Sequence, residues 1–329
     1  MLLLNATEVR QALPMDVAIA AMKAAFAALS SGKVEMPLRT HLPVHAHNGV
    51  CLIMPAFVHE AEVEALVVKV VSVYPNNSTQ GLSTIHGEVL VLDPGTGRLV
   101  GLLEGGTLTG IRTGAASGLA TDLLARDDSH VVAIFGAGMQ ARYQLEAVCT
   151  VRPIKKVWVY SPHQASGEAF VGDMAGQGPI PTELCLAETP QQALAEADIV
   201  CTATTSPQPV FSDTELRPGV HINAIGSHLP TMQEVPNATV ARALIVVDSR
   251  PAALAEAGDI IQPLKAGLIN TEHILAELGE LVLGKRVSRT SREQVTLFKS
   301  VGVAVQDAFA SRVVVQRSRE QGLGQKITW

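Results

Sequence analysis

The chain has 329 residues, of which 47% are hydrophobic, 17% charged and only 4% aromatic, so two domains with interiors of Ala, Val, Leu and Ile are expected, as in α/β proteins with parallel sheets. A formal net charge of −6 and the lack of any Lys/Arg block exclude the electrostatic footprint of a nucleic-acid binder. No run reaches the roughly 18 apolar residues of a membrane span, and the opening Met1 to Arg10 lacks the basic and apolar regions of a signal peptide, so the expectation is a cytoplasmic protein with neither nucleic acid nor membrane as partner.

In chain order, the spacing predicts a helix over 14–31, started by Pro14 and Asp16 and stopped by Gly32. From Met36 to Pro94 the pattern turns to short β-type runs, 38–44, 50–54, 65–74 and 88–92, and the turn Asp93 to Gly97 leads into a further strand at 98–103, which makes this third largely antiparallel. His45 and His47 lie ahead of an Asn48-Gly49 turn with no third ligand suggested nearby, so no metal is expected. Cys51, Cys149, Cys185 and Cys201 show no C-x-x-C spacing and read as reduced thiols.

A helical pattern over 107–125 precedes an alternation of strands and helices: strands at 129–135, 156–160, near Cys185, 198–204, 221–225 and 243–248, a helix over 189–197 capped by Thr189, and a last helix over 303–317. The first of these strands empties into Gly136-Ala137-Gly138-Met139-Gln140-Ala141 and then a helix, the context that a dinucleotide site needs. Gly136 permits the tight turn out of the strand, Gly138 lets backbone N–H groups approach a pyrophosphate, and Ala141 lets the helix pack close to the sheet. After the second strand, where an acid would accept from a ribose 2′-hydroxyl and repel a 2′-phosphate, stand Ser161, Pro162, His163 and Gln164. NADPH is therefore expected, with NADH possible as an alternative.

Two cations stand out. Lys69 shares a strand face with Val67, Val71 and Val73; it is either an edge lysine that snorkels to water or a buried charge that must find a counter-charge or shift its pKa. Arg112 lies in the N-terminal half of an otherwise small and apolar helix, where a guanidinium suits bidentate contact with a carboxylate, helped by the helix N-terminus; the alternative is an exposed arginine.

Across almost the whole chain the sequence resembles the ornithine cyclodeaminase and mu-crystallin family. The blocks that carry the likeness are Met36 to Thr40, Val68 to Asn77, Gly81 to Thr84, Thr109 to Ser117, Gly136 to Ala141, Ile222 to Gly226, Glu256 to Ile260 and Leu297 to Gly302. The resemblance implies a Rossmann dinucleotide-binding domain at 121–302 beside an α+β substrate-binding and dimerisation domain at 1–120, with 303–329 returning to it, in a homodimer. It further implies Arg39, Lys69 and Arg112 as substrate-binding residues, and Thr84 and Gly226 as cofactor contacts beside 136–141, Ser161 and His163. The family is mixed, with cyclodeaminases, alanine dehydrogenase and reductases of cyclic imines. Cyclodeaminases carry an aspartate where this chain has His228, which cannot supply the same acceptor-only anion near neutral pH. The expectation is therefore a ketimine reductase acting on a small cyclic imino acid, with Lys69 and His228 as its catalytic residues, rather than a cyclodeaminase, an alanine dehydrogenase or a non-catalytic NADPH-binding crystallin.

Overall fold

A computed structural model describes residues 1–60 and 63–328. The chain divides into two compact units, Met1–Arg112 with Val303–Trp329, and Thr113–Gly302. The change of unit falls at Arg112 instead of the expected residue 120, inside a continuous helix where composition gives no sign of it.

The first unit opens with β1 (Leu2–Leu4), α1 (Ala6–Ala12) and α2 (Met15–Ser30). Asn5 and Glu8 cap α1 reciprocally, and α2 begins behind Pro14 and stops before Gly32, whose φ of 70° suits glycine. Then come β2 (Val34–Glu35), β3 (Thr40–Val44), β4 (Gly49–Glu60), β5 (Val63–Val73), β6 (Ile85–Leu92), β7 (Leu99–Glu104) and α3 (Gly105–Leu124). The strands from β2 to β7 pair antiparallel, as their alternation predicted.

In the second unit follow β8 (Val131–Phe135), α4 (Met139–Val151), β9 (Lys156–Tyr160), α5 (Gln164–Met174), β10 (Leu184–Leu186), α6 (Pro190–Leu194), β11 (Ile199–Thr202) and β12 (His221–Ala224). Beyond these lie α7 (Asn237–Arg242), β13 (Leu244–Val247), α8 (Arg250–Glu256), α9 (Gly258–Lys265), β14 (Ile274–Glu277), α10 (Leu278–Val282) and β15 (Thr296–Lys299). The chain then returns to the first unit with α11 (Ala304–Gln321) and β16 (Gln325–Lys326).

The first sheet runs β16-β1-β7-β6-β5-β4-β2, with β3 also on β4. One face buries Leu52, Met54, Ala56, Val67, Val89 and Leu103, and α11 packs against β4, β5 and β6 and against α2. The second sheet runs β10-β9-β8-β11-β12-β15-β13-β14 and every pair is parallel. Its central strands are buried throughout, and besides apolar residues they bury polar ones such as His221, Asn223 and Lys299. From β8 the chain moves outward to β9 and β10, then crosses back to β11 on the other side, so the strand order reverses between β8 and β11. In doubly wound sheets ligands bind outside the carboxyl ends of the strands at such a reversal.

Asp248, at the end of β13, is fully buried and accepts from Ser249 N–H, Ser300 O–H, Val301 N–H and Gly302 N–H at 2.8–2.9 Å, fixing the exit of β15. Asp248→Ala orphans several buried donors and is expected to cost about 3 kcal/mol or more, read from urea unfolding; a change under about 1 kcal/mol contradicts this role.

Candidate active site

The sequence placed one charge on an apolar strand, and the structure shows how it is accommodated. Lys69 lies across from Met54 on β4 and Val89 on β6, both buried, and is itself only 1% exposed, so it does not snorkel. Its counter-charge comes from α11, where Asp307 Oδ2 stands 2.8 Å from Lys69 Nζ. The other oxygen of Asp307 accepts from Arg112 Nε at 3.2 Å, and Gln306 Oε1 accepts from Arg112 Nη1 at 2.9 Å. Gln306 Oε1 also accepts from Val303 N–H, which ties this acceptor to the start of α11. Two buried cations therefore share one carboxylate, and with all three ionised the cluster carries one net positive charge.

Burial and the neighbouring Arg112 push the Lys69 ammonium down to about 8, Asp307 opposes this, and Arg39 adds to the lowering. Arg39 is half-buried just ahead of β3, close enough for Lys69 to feel its charge. Arg112 departs from expectation in one respect. The first-turn N–H groups of α3, at Gly106 and Thr107, are taken by the Glu104 carboxylate at 2.7 and 2.8 Å, so the helix N-terminus is already neutralised and lends Arg112 no positive potential. Its guanidinium has five N–H donors, and among the described residues only Asp307 and Gln306 accept from it. Thr84 lies half-buried in this unit ahead of β6, its carbonyl accepting from Tyr74 N–H at 2.8 Å.

In the second unit the expected Gly-rich turn is present at the carboxyl end of β8. Gly136 has φ 104°, and a Cβ there would stand 2.5 Å from Ala203 O, so both conformation and close approach require glycine. Gly138 is the N-cap of α4, no side chain caps that helix, and a Cβ at Gly138 would meet nothing within 4 Å. Ala141 is buried in the core while Ala137 is half-buried and Met139 exposed. The buried Oε1 of Gln140 has no hydrogen-bond partner among the described residues. This open, uncapped helix start fits a pyrophosphate. Ser161 and His163 form the exposed turn ahead of α5, with His163 N–H donating to Ser161 Oγ at 3.2 Å.

Gly226 and His228 follow β12. The Gly226 N–H donates to the Glu234 carboxylate at 2.6 Å and, more weakly, to Thr202 O at 3.3 Å. His228 is exposed, and its Nδ1 lies 2.9 Å from Gly226 O. Since a carbonyl only accepts, Nδ1 carries the hydrogen there, and Nε2 is protonated only in the imidazolium form.

Of the residues predicted from sequence, Lys69 and Arg112 come together around a shared aspartate, and 136–141, Ser161 and His163 surround the ends of β8 and β9. Sequence reasoning missed Asp307 and Gln306; their only signal is two polar residues on the inner face of a helix that also buries Val305, Ala308 and Phe309. It also missed β15, which lies between β12 and β13. Cys149 and Cys201 are buried thiols pushed up to about 12 by burial, which leaves them unreactive.

The fold and the Gly-rich turn define an α/β protein of the dinucleotide-binding type with a further unit whose sheet is antiparallel except where β1 pairs with β7. The chain belongs to the ornithine cyclodeaminase/mu-crystallin family, whose model matches residues 1–322. It is 40% identical over 328 residues to the Δ1-pyrroline-2-carboxylate reductase of Bacillus cereus, covering 99% of both chains. It is 41% identical to the solved Δ1-pyrroline-2-carboxylate reductase of Thermococcus litoralis in complex with NADH and L-proline, with TM-score 0.95 over 99% of this chain and 100% of the other. A solved archaeal alanine dehydrogenase dimer with bound NAD is 32% identical, with TM-score 0.92 over 100% of this chain and 99% of the other.

The ionisation of the cluster is directly measurable. In ¹³Cε-labelled protein, with Lys69→Arg for assignment, Lys69 is expected to titrate near 8, below the ordinary 10.5. Asp307→Asn removes the group that raises this value and is expected to lower it further. A Lys69 titration at the ordinary lysine value contradicts the burial described here.

Proposed function

We propose that the protein reduces a small cyclic ketimine acid, Δ1-pyrroline-2-carboxylate or its six-membered homologue, to proline or pipecolate with a nicotinamide dinucleotide. The observation that carries this reading is the full-length likeness to Δ1-pyrroline-2-carboxylate reductases. The positive cluster of Lys69, Arg112 and Asp307 supports it, since its single net charge matches one substrate carboxylate. Arg112 and Lys69 hold that carboxylate, aided by Arg39, so that the planar C=N group is presented in one orientation. When bound, a nicotinamide dinucleotide would supply the hydride to C2. As the C=N π electrons move to nitrogen, that nitrogen takes one proton, either beforehand from water as an iminium or from the His228 imidazolium through Nε2. The backbone around Gly136 and Gly138 and the start of α4 receive the pyrophosphate.

NADPH is the cofactor favoured by the turn after β9, where Ser161 and His163 can donate to a 2′-phosphate and the first carboxylate, Glu168, is engaged by Gln164 at 2.8 Å. The second face of the first sheet supports a homodimer. There Ile53, Phe57, Leu66, Val68, Val70 and Leu90 are in register and only half-buried, an apolar surface suited to a second copy. Among the described residues no single helix is long and apolar enough to cross a membrane, and we place the enzyme in the cytoplasm.

Oxidation of NADPH on addition of pyrroline-2-carboxylate, one for one with proline formed, tests the reaction. Release of ammonia from L-ornithine at a matching or greater rate supports a cyclodeaminase instead. Arg112→Ala is expected to lower kcat/KM for the imino acid about 100-fold or more with cofactor affinity kept; a loss under about fivefold rules out the clamp. Ser161→Asp is expected to shift preference from NADPH to NADH through repulsion of the 2′-phosphate. Better use of NADH by the unaltered enzyme contradicts the cofactor assignment.

A further inference from the structure

A second buried charge cluster lies in the Thr113–Gly302 unit, and the chemistry above leaves it unused. Glu234, Asp259 and Lys299 are all fully buried. Lys299, at the end of β15, pairs with Asp259 Oδ2 at 3.0 Å. Asp259 Oδ1 accepts from the backbone N–H groups of Glu234 and Val235 at 2.7 and 3.0 Å, which orients the residue that follows in the chain of contacts. The Glu234 carboxylate then gathers five donors. Its Oε1 accepts from Thr204 N–H and Thr204 O–H at 2.6 and 2.7 Å. Its Oε2 accepts from Thr202 O–H at 2.9 Å, Gly226 N–H at 2.6 Å and Ser227 N–H at 3.2 Å.

This one side chain therefore ties the carboxyl end of β11 to the turn that leaves β12. The turn is packed tightly against it: a Cβ at Gly226 would stand 2.1 Å from Thr204 O and 2.5 Å from Glu234 Oε1. Two residues on, His228 hydrogen-bonds back to the Gly226 carbonyl at 2.9 Å, so the imidazole takes its place from the same turn. Burial and the nearby Asp259 hold the Glu234 carboxyl above its ordinary value, with Lys299 and the Thr204 donors opposing this. Three of the five donors are N–H groups that cannot accept, an arrangement made for the anion. A carboxylate used only for packing would be an expensive choice at a fully buried position.

The geometry points to Glu234 as the positioning residue of this site: its carboxylate, oriented by Asp259 and Lys299, fixes the Gly226–His228 turn and thereby the place of the His228 imidazole. This rests on the reading of His228 as a group that faces the reacting imine. Glu234→Gln tests it with nearly unchanged shape, because the new amide N–H₂ must face at least one N–H donor. Glu234→Asp keeps the charge and serves as the conservative variant, and as the fallback if the glutamine variant does not fold.

Two measurements separate the inference from the reading beneath it. Amide hydrogen exchange, which needs no activity, is expected to show Gly226 and Ser227 losing protection about 100-fold in Glu234→Gln while the centre of β12 stays protected. In imine reduction, kcat is expected to fall about tenfold or more with KM for the imino acid changed under about threefold, and Glu234→Asp to recover part of the loss. The double variant Glu234→Gln/His228→Asn is expected to be no slower than the slower single variant, within about threefold, since both act through one imidazole. Unchanged protection of Gly226 and Ser227, or losses that multiply in the double variant, overturn the positioning role. If His228→Asn alone leaves imine reduction unchanged, the proton-donor reading of His228 falls, and the exchange measurement still decides whether Glu234 holds the turn.

Discussion

A lysine on the inner face of a β-strand brings a charge into a space that would otherwise be apolar, and the first unit is organised around the need to meet it. Asp307 does so from α11, and the same carboxylate also receives Arg112 from α3. An ion pair alone would balance the charges and leave nothing for a ligand. Three groups, two positive and one negative, instead leave a net positive charge in low-dielectric surroundings, where one further carboxylate is strongly attracted. The last helix thus has a chemical reason to return to the N-terminal sheet as well as a packing one: without it, two buried cations would face each other.

The second unit solves a different problem with the same means. A parallel sheet ends in loops whose N–H groups must be satisfied, and the loops after β11, β12 and β15 are satisfied by two buried carboxylates, Glu234 and Asp248. At the turn after β8 no carboxylate does this among the described residues. There the N-terminus of α4 has no side-chain cap and Gly138 faces open space. An uncapped helix start facing open space is what a bound anion would complete.

Much of this was legible in the sequence. The Gly136 to Ala141 motif, the alternating strands and helices and the antiparallel first third all carry local signals, of period, turn chemistry and helix caps, and Lys69 announced itself by being the one charge in an apolar strand. What was not legible is long-range. Asp307 is separated from Lys69 by most of the chain and looks like any polar residue on a helix, so its pairing is visible only once α11 lies on β5. β15 is four residues long and takes a place between β12 and β13 that order along the chain does not suggest. The assumed help from the α3 N-terminus failed because Glu104, immediately before the helix, supplies its own cap, a local signal that was present and not weighed.

The central claim is that the buried lysine and arginine hold the substrate by its carboxylate. Calorimetric titration of the protein with L-proline and with L-prolinamide, each in the presence of NADPH, tests this most directly, because the two ligands share a ring and a nitrogen and differ in the carboxylate. The account predicts that L-proline binds and that L-prolinamide binds about 100-fold more weakly or not at all, as expected for the loss of a buried charge-assisted contact. Equal affinities would contradict it.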